Sequence, residues 1–285
     1  MNIPPNIFTY WHQGFAQAPV IVKHCLHQIR KTQTDAEVHA LDQSCLKQVR
    51  PDIPVSDETW EHLALQHKSD LVRTALLIRH GGIWMDPTVF PKVNIPNWLA
   101  DKMGAGLFFF QHPGRDRIVS NWFIAAQPQN PILIALMNRL GEYHANRDWV
   151  AQSRPPTSGF KLLSRLINRH PTLTRIWFWK ATRYLIPQSP YMIYHYLLND
   201  LLCRNSGFRR LWRKMPVVSA VPPHALQRIG LQEPMRAEAE KVIKYQEIPL
   251  FKLAWNLPDP IIPEGSIVEY LFGLSDQQKA PIFNA

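Results

Sequence analysis

Residues 69–88 constrain the fold more than any other part of the chain, and they read SDLVRTALLIRHGGIWMDPT. Apolar side chains recur at near-helical spacing from residue 71 to residue 78, which predicts a helix. Ser69 is the expected N-cap, with Asp70 in the first turn, where the helix dipole favours a negative charge. Gly81 stands where a left-handed C-cap ends a helix. The sequence therefore predicts a helix that stops sharply before residue 82.

A short buried strand is expected next, because residues 83–85 are bulky and apolar. Pro87 cannot donate to a ladder, so the strand should end at Asp86. Since α/β folds bind ligands at the ends of strands, we expect Asp70, Arg73 and Asp86 to lie near one point. Two carboxylates and a guanidinium suit a polyhydroxylated, phosphate-bearing ligand such as a nucleotide sugar. The plainer alternative is a surface i,i+3 ion pair with a turn residue at position 86.

Strand and helix patterns alternate in the first half of the 285 residues. This alternation predicts an α/β fold with a mostly parallel sheet covered by helices. The predicted strands are 7–11, 36–41, 83–85, 106–110 and 121–126. The predicted helices are 19–30, 60–66, 69–80, 131–144, 158–170 and 191–203.

The net charge of +10 is concentrated in one region. Twelve Lys and Arg residues lie between Val150 and Pro216, and Asp200 is the only acid among them. Within this region, residues 171–186 interleave aromatic rings with cations, as interfacial membrane segments do. The same field would attract nucleic acid, and a solvated basic face over an aromatic core remains a third interpretation.

The cellular compartment is predicted from cysteine usage and from the first residues. The three cysteines are widely spaced and form neither a metal motif nor a disulfide framework, so a reducing cytoplasm is expected. Residues 1–6 lack the pattern of a signal peptide, and no apolar run approaches the length of a membrane span. We therefore expect a soluble or peripheral cytoplasmic protein.

Two motifs, SDxxR at 69–73 and GGxWxD at 81–86, carry a family resemblance. The first strand up to Trp11 and the segment from Asn121 support it, with weaker similarity around residues 195 and 252–255. On these residues the chain resembles the bacterial capsular polysaccharide synthesis glycosyltransferases. That group is related to DxD-containing sugar transferases of the yeast mannosyltransferase type and, more distantly, to the glucosyltransferase domains of clostridial toxins.

The resemblance implies a GT-A-like fold, a Rossmann-type sandwich that binds a nucleotide sugar, in a single domain spanning 1–285. Residues 1–150 would bind the donor, and a helical, basic part at 151–285 would face the acceptor and the membrane. The implied reaction is retaining transfer of a sugar from a nucleoside diphosphate, with a UDP-sugar favoured. The implied acceptor is a growing, lipid-linked capsular or lipo-oligosaccharide glycan at the inner face of the bacterial inner membrane.

The resemblance also implies roles for single residues. Trp11 would stack on the donor base, and Asp70 and Arg73 would grip the sugar hydroxyls. Asp86 would be the first carboxylate of the DxD motif, close to the ribose and the metal, with Gly82 also in the donor site. Further candidate contacts to the diphosphate or the acceptor are Asn121, His195 and Asn256.

The sequence departs from the DxD motif at its second carboxylate, which Thr88 replaces. A hydroxyl is a weaker ligand than a carboxylate for a hard cation such as Mg²⁺ or Mn²⁺. Asp86 and Thr88 could hold the metal with diphosphate oxygens, His195 or Asn256 could substitute, or basic residues could make a metal dispensable. A degenerate transferase and a non-catalytic basic module that binds lipid or nucleic acid are the alternatives to an enzyme.

Overall fold

The computed structural model describes residues 3–145, 157–186, 190–257 and 262–276. Within these ranges the strands are β1 Asn6–Tyr10, β2 Glu37–Leu41, β3 Gly82–Met85, β4 Val89–Pro91, β5 Leu107–Gly114, β6 Arg117–Ala126 and β7 Leu250–Lys252.

The α-helices are α1 Val20–Thr32, α2 Leu46–Val49, α3 Asp57–His62, α4 Leu65–His80, α5 Ile95–Leu99, α6 Pro131–Ala145, α7 Ser158–Ile167, α8 Pro171–Thr174, α9 Lys180–Leu185, α10 Ile193–Arg204, α11 Ser206–Trp212, α12 Ala225–Ile229, α13 Ala237–Tyr245 and α14 Ile267–Asp276. Short 3₁₀ helices occupy Phe15–Gln17, Gln43–Cys45, Arg50–Asp52, Arg175–Phe178 and Pro222–His224. None of the helices in the described ranges is long and apolar enough to cross a membrane.

The sheet topology confirms the predicted α/β class. Five strands form one sheet in the order β2-β1-β3-β6-β5, and β4 and β7 form a separate pair. β1 and β2 run parallel, with Ile7 opposite Val38. β5 and β6 are antiparallel, with register shifts between Phe109 and Gly114.

The chain divides into two compact units, and each takes residues from both sides of position 150. The predicted single domain, with its division at that position, stays a prediction. The first unit comprises Met1–Pro4, Ser44–Trp84 and Asp101–Ala220. The second unit comprises Pro5–Gln43, Met85–Ala100 and Val221–Ala285.

In the first unit, α4 begins four residues before the predicted N-cap. Its N-cap is Ala64, so Ser69 and Asp70 lie inside the helix, and the predicted cap is wrong. The first residues of the observed helix include leucine, glutamine and lysine, which favour helix. The Ser69 hydroxyl accepts a hydrogen bond from Arg73 instead of capping the helix. The predicted end is confirmed: Gly81 has φ +62°, and a Cβ there would lie 2.6 Å from Pro128 Cδ.

The second unit packs α1, the β4–β7 pair and the C-terminal helices around one apolar core. β4 and β7 are antiparallel, and Phe90 lies opposite Phe251 in their ladder. Both rings are at most 2% exposed. Ile21 of α1 and Leu271 of α14 pack in the same cluster. This core fixes β7 beside the turn that follows β3.

Candidate functional site

The helix α4 buries both charged residues of the SDxxR motif. Asp70 is 7% exposed and Arg73 is 6% exposed, and Arg73 Nη2 lies 3.5 Å from Asp70 Oδ1. The pair is therefore not the surface ion pair of the plainer alternative. Long charged side chains are rarely buried without partners, so the surroundings of this pair show what holds it.

Asn121 on β6 joins the pair from a neighbouring strand. Its side-chain Nδ2 donates to Asp70 Oδ1 at 2.7 Å, while Arg73 Nη1 donates to the Asn121 backbone carbonyl. Arg73 also donates from Nε to the Ser69 carbonyl at 3.2 Å and from Nη2 to the Ser69 hydroxyl at 3.0 Å. The four residues Ser69, Asp70, Arg73 and Asn121 form what we call the α4 polar cluster.

Two residues that the sequence analysis missed complete this environment. The Arg73 guanidinium lies 4.9 Å from the ring centroid of the fully buried Trp84, a cation–π contact. His67 Nδ1 lies 3.9 Å from Asp70 Oδ2. Its i,i+3 spacing from Asp70 was the available signal. The cluster holds one carboxylate and one guanidinium in fixed orientations.

His195, a predicted contact residue, lies on α10 and is 6% exposed. Burial, and then the positive charges of Arg117 and Arg73, lower its pKa from 6.5 to about 3, against a hydrogen bond with the Met192 backbone. The imidazole is therefore neutral at physiological pH. Burial also raises the pKa of the neighbouring Tyr194 phenol, so this stretch of α10 contributes neutral groups.

Asp86 and Thr88 lie in the second unit, in the turn between β3 and β4. The Val89 amide donates to the Asp86 carbonyl at 2.9 Å and closes the turn. Thr88 is 2% exposed, and its hydroxyl accepts a hydrogen bond from Lys252 Nζ. The same Nζ lies 3.8 Å from Asp86 Oδ2. The sequence offered no spacing signal for this lysine, which lies 164 positions from Thr88.

The donor set around Asp86 does not fit a divalent cation. A metal bound by Asp86 and Thr88 would share the carboxylate of Asp86 and the hydroxyl of Thr88 with the Lys252 ammonium. Two cations held by the same two groups lie close together and repel each other. Among the residues that the structure describes, no group of three or more His, Cys, Asp or Glu side chains could hold a metal ion. The predicted metal role of Asp86 and Thr88 stays a prediction that this donor set disfavours.

Trp11, the predicted base-stacking residue, follows β1 in the second unit and is half-buried. Its amide donates to the Leu41 carbonyl at 2.9 Å. Its ring meets Trp255 edge to face, with centroids 5.9 Å apart, and Trp255 is 53% exposed. Asn256 is exposed. Trp255 had no predicted role.

Gly82, the remaining predicted donor residue, opens β3 with φ +97°. That backbone conformation favours glycine, which explains the residue type without a ligand. Its predicted role in donor binding stays a prediction.

The aromatic and basic segment 171–186 has both a buried and an exposed part. Trp177 is 3% exposed, and its Nε1 donates to Asn168 Oδ1 at 2.9 Å. Trp179 is 58% exposed. Outside the segment, Leu162 of α7 is 60% exposed. The basic region's one acid, Asp200, is fully buried against three guanidinium groups, those of Arg139, Arg175 and Arg204.

Comparisons with known proteins agree with the family resemblance. An O-glycosyltransferase, braB of Annulohypoxylon truncatum, is 26% identical over 155 residues, which cover 45% of this chain and 35% of that protein. HOC1 of Saccharomyces cerevisiae, whose glycosyltransferase assignment is provisional, is 29% identical over 105 residues, covering 32% of this chain and 26% of that protein. The matches thus span about a third or less of these relatives.

A solved structure and a family model complete the comparison. The PaToxG glycosyltransferase structure aligns with 69% of this chain and 84% of its own, at 16% identity and a TM-score of 0.38, a similarity too low to carry structural detail. The model of the family described as "Capsular polysaccharide synthesis protein" matches residues 1–152. That match covers more than half of the 285 residues and includes the α4 polar cluster and the turn at Asp86. The chain belongs to the capsular polysaccharide synthesis protein family.

Proposed function

We propose that this protein is a glycosyltransferase that moves a sugar from a nucleoside diphosphate donor to a glycan acceptor in polysaccharide synthesis. One observation carries the proposal: the α4 polar cluster buries a carboxylate and a guanidinium within the segment that matches the family. Even a paired and hydrogen-bonded buried ion pair is often no more stabilising than well-packed apolar residues of similar volume. A fold that keeps them supports a role for these groups beyond stability, and the glycosyltransferase relatives favour a sugar ligand.

Asp70 and Arg73 are proposed to bind the sugar part of the donor. A carboxylate accepts hydrogen bonds from sugar hydroxyls, and a guanidinium donates to hydroxyl or phosphate oxygens in a fixed plane. Asn121 holds the Asp70 carboxylate through a 2.7 Å hydrogen bond. The orientation of Asp70 would thus be set before the donor binds, which reduces the entropy lost on binding.

The proposed reaction breaks the bond between the anomeric carbon and the diphosphate oxygen and forms a bond to an acceptor hydroxyl. In a retaining, same-face reaction the acceptor proton passes to the leaving diphosphate, so no separate nucleophile is required. The largest demand on the protein is to stabilise negative charge on the leaving group. A requirement for Mn²⁺ or Mg²⁺ stays a prediction, and no step is assigned to a metal because the donor set at Asp86 does not fit one.

The acceptor side is proposed to meet an anionic membrane that carries a lipid-linked glycan. On α7, Leu162 is 60% exposed and Leu166 is 45% exposed, and they lie one helical turn apart. Lys161 and Arg165 are exposed beside them. Apolar side chains next to cations complement the acyl chains and headgroups of an anionic bilayer. This arrangement favours a lipid surface over nucleic acid and supports a peripheral membrane contact, which we propose to lie on the cytoplasmic face.

The test is thermal unfolding of the purified chain with UDP-, GDP- and CDP-sugars, each with Mn²⁺ and with EDTA. A ligand that binds only the native state raises the melting temperature by mass action. We expect one nucleotide sugar, with a UDP-sugar favoured, to give a selective rise. Release of the nucleoside diphosphate in the presence of a glycan acceptor would then measure transfer.

Asp70→Asn tests the role of the carboxylate, because it keeps the size of the side chain and removes its charge. We expect it to abolish transfer while the chain remains folded by circular dichroism. Absence of any selective rise, combined with tight, salt-sensitive binding to vesicles or nucleic acid, would instead identify a non-catalytic basic module. Nucleotide binding without turnover under any condition would identify a degenerate transferase.

A further inference from the structure

Lys252 is fixed against the shortened motif by backbone pairing. It lies opposite Val89 in the β4–β7 ladder, and the next amide, that of Leu253, donates to the Thr88 carbonyl at 2.9 Å. This register brings the lysine side chain beside the turn at residues 86–88. Its Nζ donates to the Thr88 hydroxyl and lies 3.8 Å from Asp86 Oδ2.

The surroundings keep the ammonium in this place. Phe251 and Leu253, on either side of Lys252, are fully buried, so β7 cannot shift without disrupting the core. The ion pair is nevertheless accessible, because the Lys252 side chain is 16% exposed and the Asp86 side chain 23% exposed. A ligand can therefore reach a cation whose position is already set.

In a DxD motif the second carboxylate contributes to holding a metal cation at the donor's diphosphate. Here the position of that carboxylate carries a hydroxyl, and the hydroxyl accepts a hydrogen bond from a resident cation. An ammonium is a compact charge with only donor hydrogens, which suits phosphate oxygens.

We propose that Lys252, oriented by Asp86 and Thr88, is the cation of this site and binds the diphosphate of the donor. The inference rests on the proposed function and deepens it. When the bond between the anomeric carbon and the diphosphate oxygen breaks, its electron pair stays on that oxygen. The Lys252 ammonium stabilises this negative charge and remains protonated throughout, while the acceptor hydroxyl's proton goes to the leaving phosphate. Asp86 then orients a lysine rather than a metal.

A purely structural lysine is the alternative, and the same ladder supplies one for comparison. Lys92 follows β4, and its amide pairs with the Pro249 carbonyl at 2.7 Å. Its Nζ donates to the backbone carbonyls of Ile243 and Gln246, at 3.2 and 3.0 Å. Those carbonyls lie at the end of α13, so the ammonium caps a helix. Lys92→Met therefore removes a half-buried lysine from the same ladder without touching the shortened motif.

The experiment measures affinities for UDP, GDP and CDP, and for the matching nucleosides by competition, in EDTA and in Mn²⁺. We expect the wild-type chain to bind one diphosphate in EDTA. Lys252→Met should lower the affinity for that diphosphate at least tenfold and leave the affinity for the nucleoside within about twofold, since only the diphosphate loses a charge-assisted hydrogen bond. Lys92→Met should leave the ratio of the two affinities unchanged. Lys252→Arg, which keeps the charge, should restore most of the diphosphate affinity.

Two further variants keep the inference testable. If Lys252→Met does not fold, Thr88→Val removes the hydroxyl that orients the ammonium and should lower diphosphate affinity in EDTA. Thr88→Asp combined with Lys252→Met rebuilds two carboxylates without the ammonium, and its binding should require Mn²⁺.

The inference is overturned if wild-type diphosphate binding requires Mn²⁺, or if Lys252→Met and Lys92→Met change the affinity ratio equally. If the wild-type chain binds no nucleoside diphosphate under either condition, the proposed function fails and takes the inference with it.

Discussion

The side-chain amide of Asn121 donates a 2.7 Å hydrogen bond to the carboxylate of Asp70, which lies 51 positions earlier in the chain. It joins β6 to α4 inside the first unit. Arg73 closes the arrangement by donating to the Asn121 carbonyl. Asn121 and Arg73, the two partners of Asp70, both lie in regular secondary structure. Loss of either partner should therefore lower both the free energy of unfolding and the affinity for the ligand.

Asn121→Ala should lower the free energy of unfolding by about 1–3 kcal/mol, because it leaves a buried carboxylate oxygen without its donor. Urea unfolding followed by circular dichroism measures this change. Asn94→Ala is the control, since Asn94 donates to Asp35 at 3.0 Å in an exposed pair and should change stability less. Equal losses of unfolding free energy in the two variants would show that the buried hydrogen bond contributes no more to stability than the exposed one.

Arg73→Lys should be more damaging than its conservative chemistry suggests. Lysine keeps the charge, but it cannot reproduce the separate Nε, Nη1 and Nη2 contacts to Ser69, Asp70 and Asn121. We expect a loss of about 1–3 kcal/mol in unfolding free energy and weaker binding of the nucleotide sugar.

Arg79→Lys, on the same helix, is the matched control for Arg73→Lys. Arg79 is 57% exposed in its pair with Asp52, so the expected loss is below about 1 kcal/mol. If Arg73→Lys bound the donor as the wild type does, Arg73 would have no place in the donor site.

His195 should make the protein less stable in acid. Its pKa is about 3 in the folded chain, against 6.5 when exposed. Between these values the unfolded chain binds the extra proton, so stability falls as the pH drops below 6.5. The loss from this group is about 1.4 kcal/mol per pH unit until the folded pKa is reached.

Urea unfolding at pH 7, 6, 5 and 4 tests this, with His195→Gln expected to flatten the acid-side slope. His27→Gln is the control, because His27 is exposed on α1 and should leave the slope as it is. An unchanged slope in His195→Gln would show that the buried imidazole does not carry the effect.

Local sequence patterns predicted the elements whose causes are local. The stop at Gly81 follows from a left-handed φ, and the end of β3 before Asp86 follows from Pro87. The start of α4 was missed because the Ser69 hydroxyl pairs with Arg73 inside the helix instead of capping it, and Ala64 is the N-cap. A residue type that favours an N-cap also occurs inside helices, where its hydroxyl can pair with a side chain one turn away.

The sequence indicated which residues belong to the candidate site, but it did not indicate which groups they contact in the fold. The motifs indicated Asp70, Arg73 and Asn121, yet their hydrogen bonds depend on how β6 lies against α4. Lys252 shows the limit most clearly, because only the β4–β7 register brings it to Thr88. No spacing rule connects two residues that are 164 positions apart.

Trp11→Ala should weaken nucleotide binding by about tenfold, because stacking of a base on an aromatic ring is worth about 1–3 kcal/mol. Trp11→Phe keeps a ring and should retain most of the affinity. Titration of the nucleotide against tryptophan fluorescence measures both variants. Trp255 meets Trp11 edge to face, so Trp255→Ala should show a smaller loss. Wild-type affinity in Trp11→Ala would place the base elsewhere.

The exposed apolar face of α7 leads to the last prediction, on membrane binding. Replacing both Leu162 and Leu166 with Ser should weaken binding to phosphatidylserine vesicles at least fivefold, since each buried CH₂ contributes about 0.8 kcal/mol. Binding should also weaken as salt rises, because the cations beside these leucines are screened. Val217→Ser is the control, since Val217 is 71% exposed and lies outside α7. Co-sedimentation with anionic and neutral vesicles measures all three chains, and equal binding of the double variant and the wild type would remove α7 from the membrane contact.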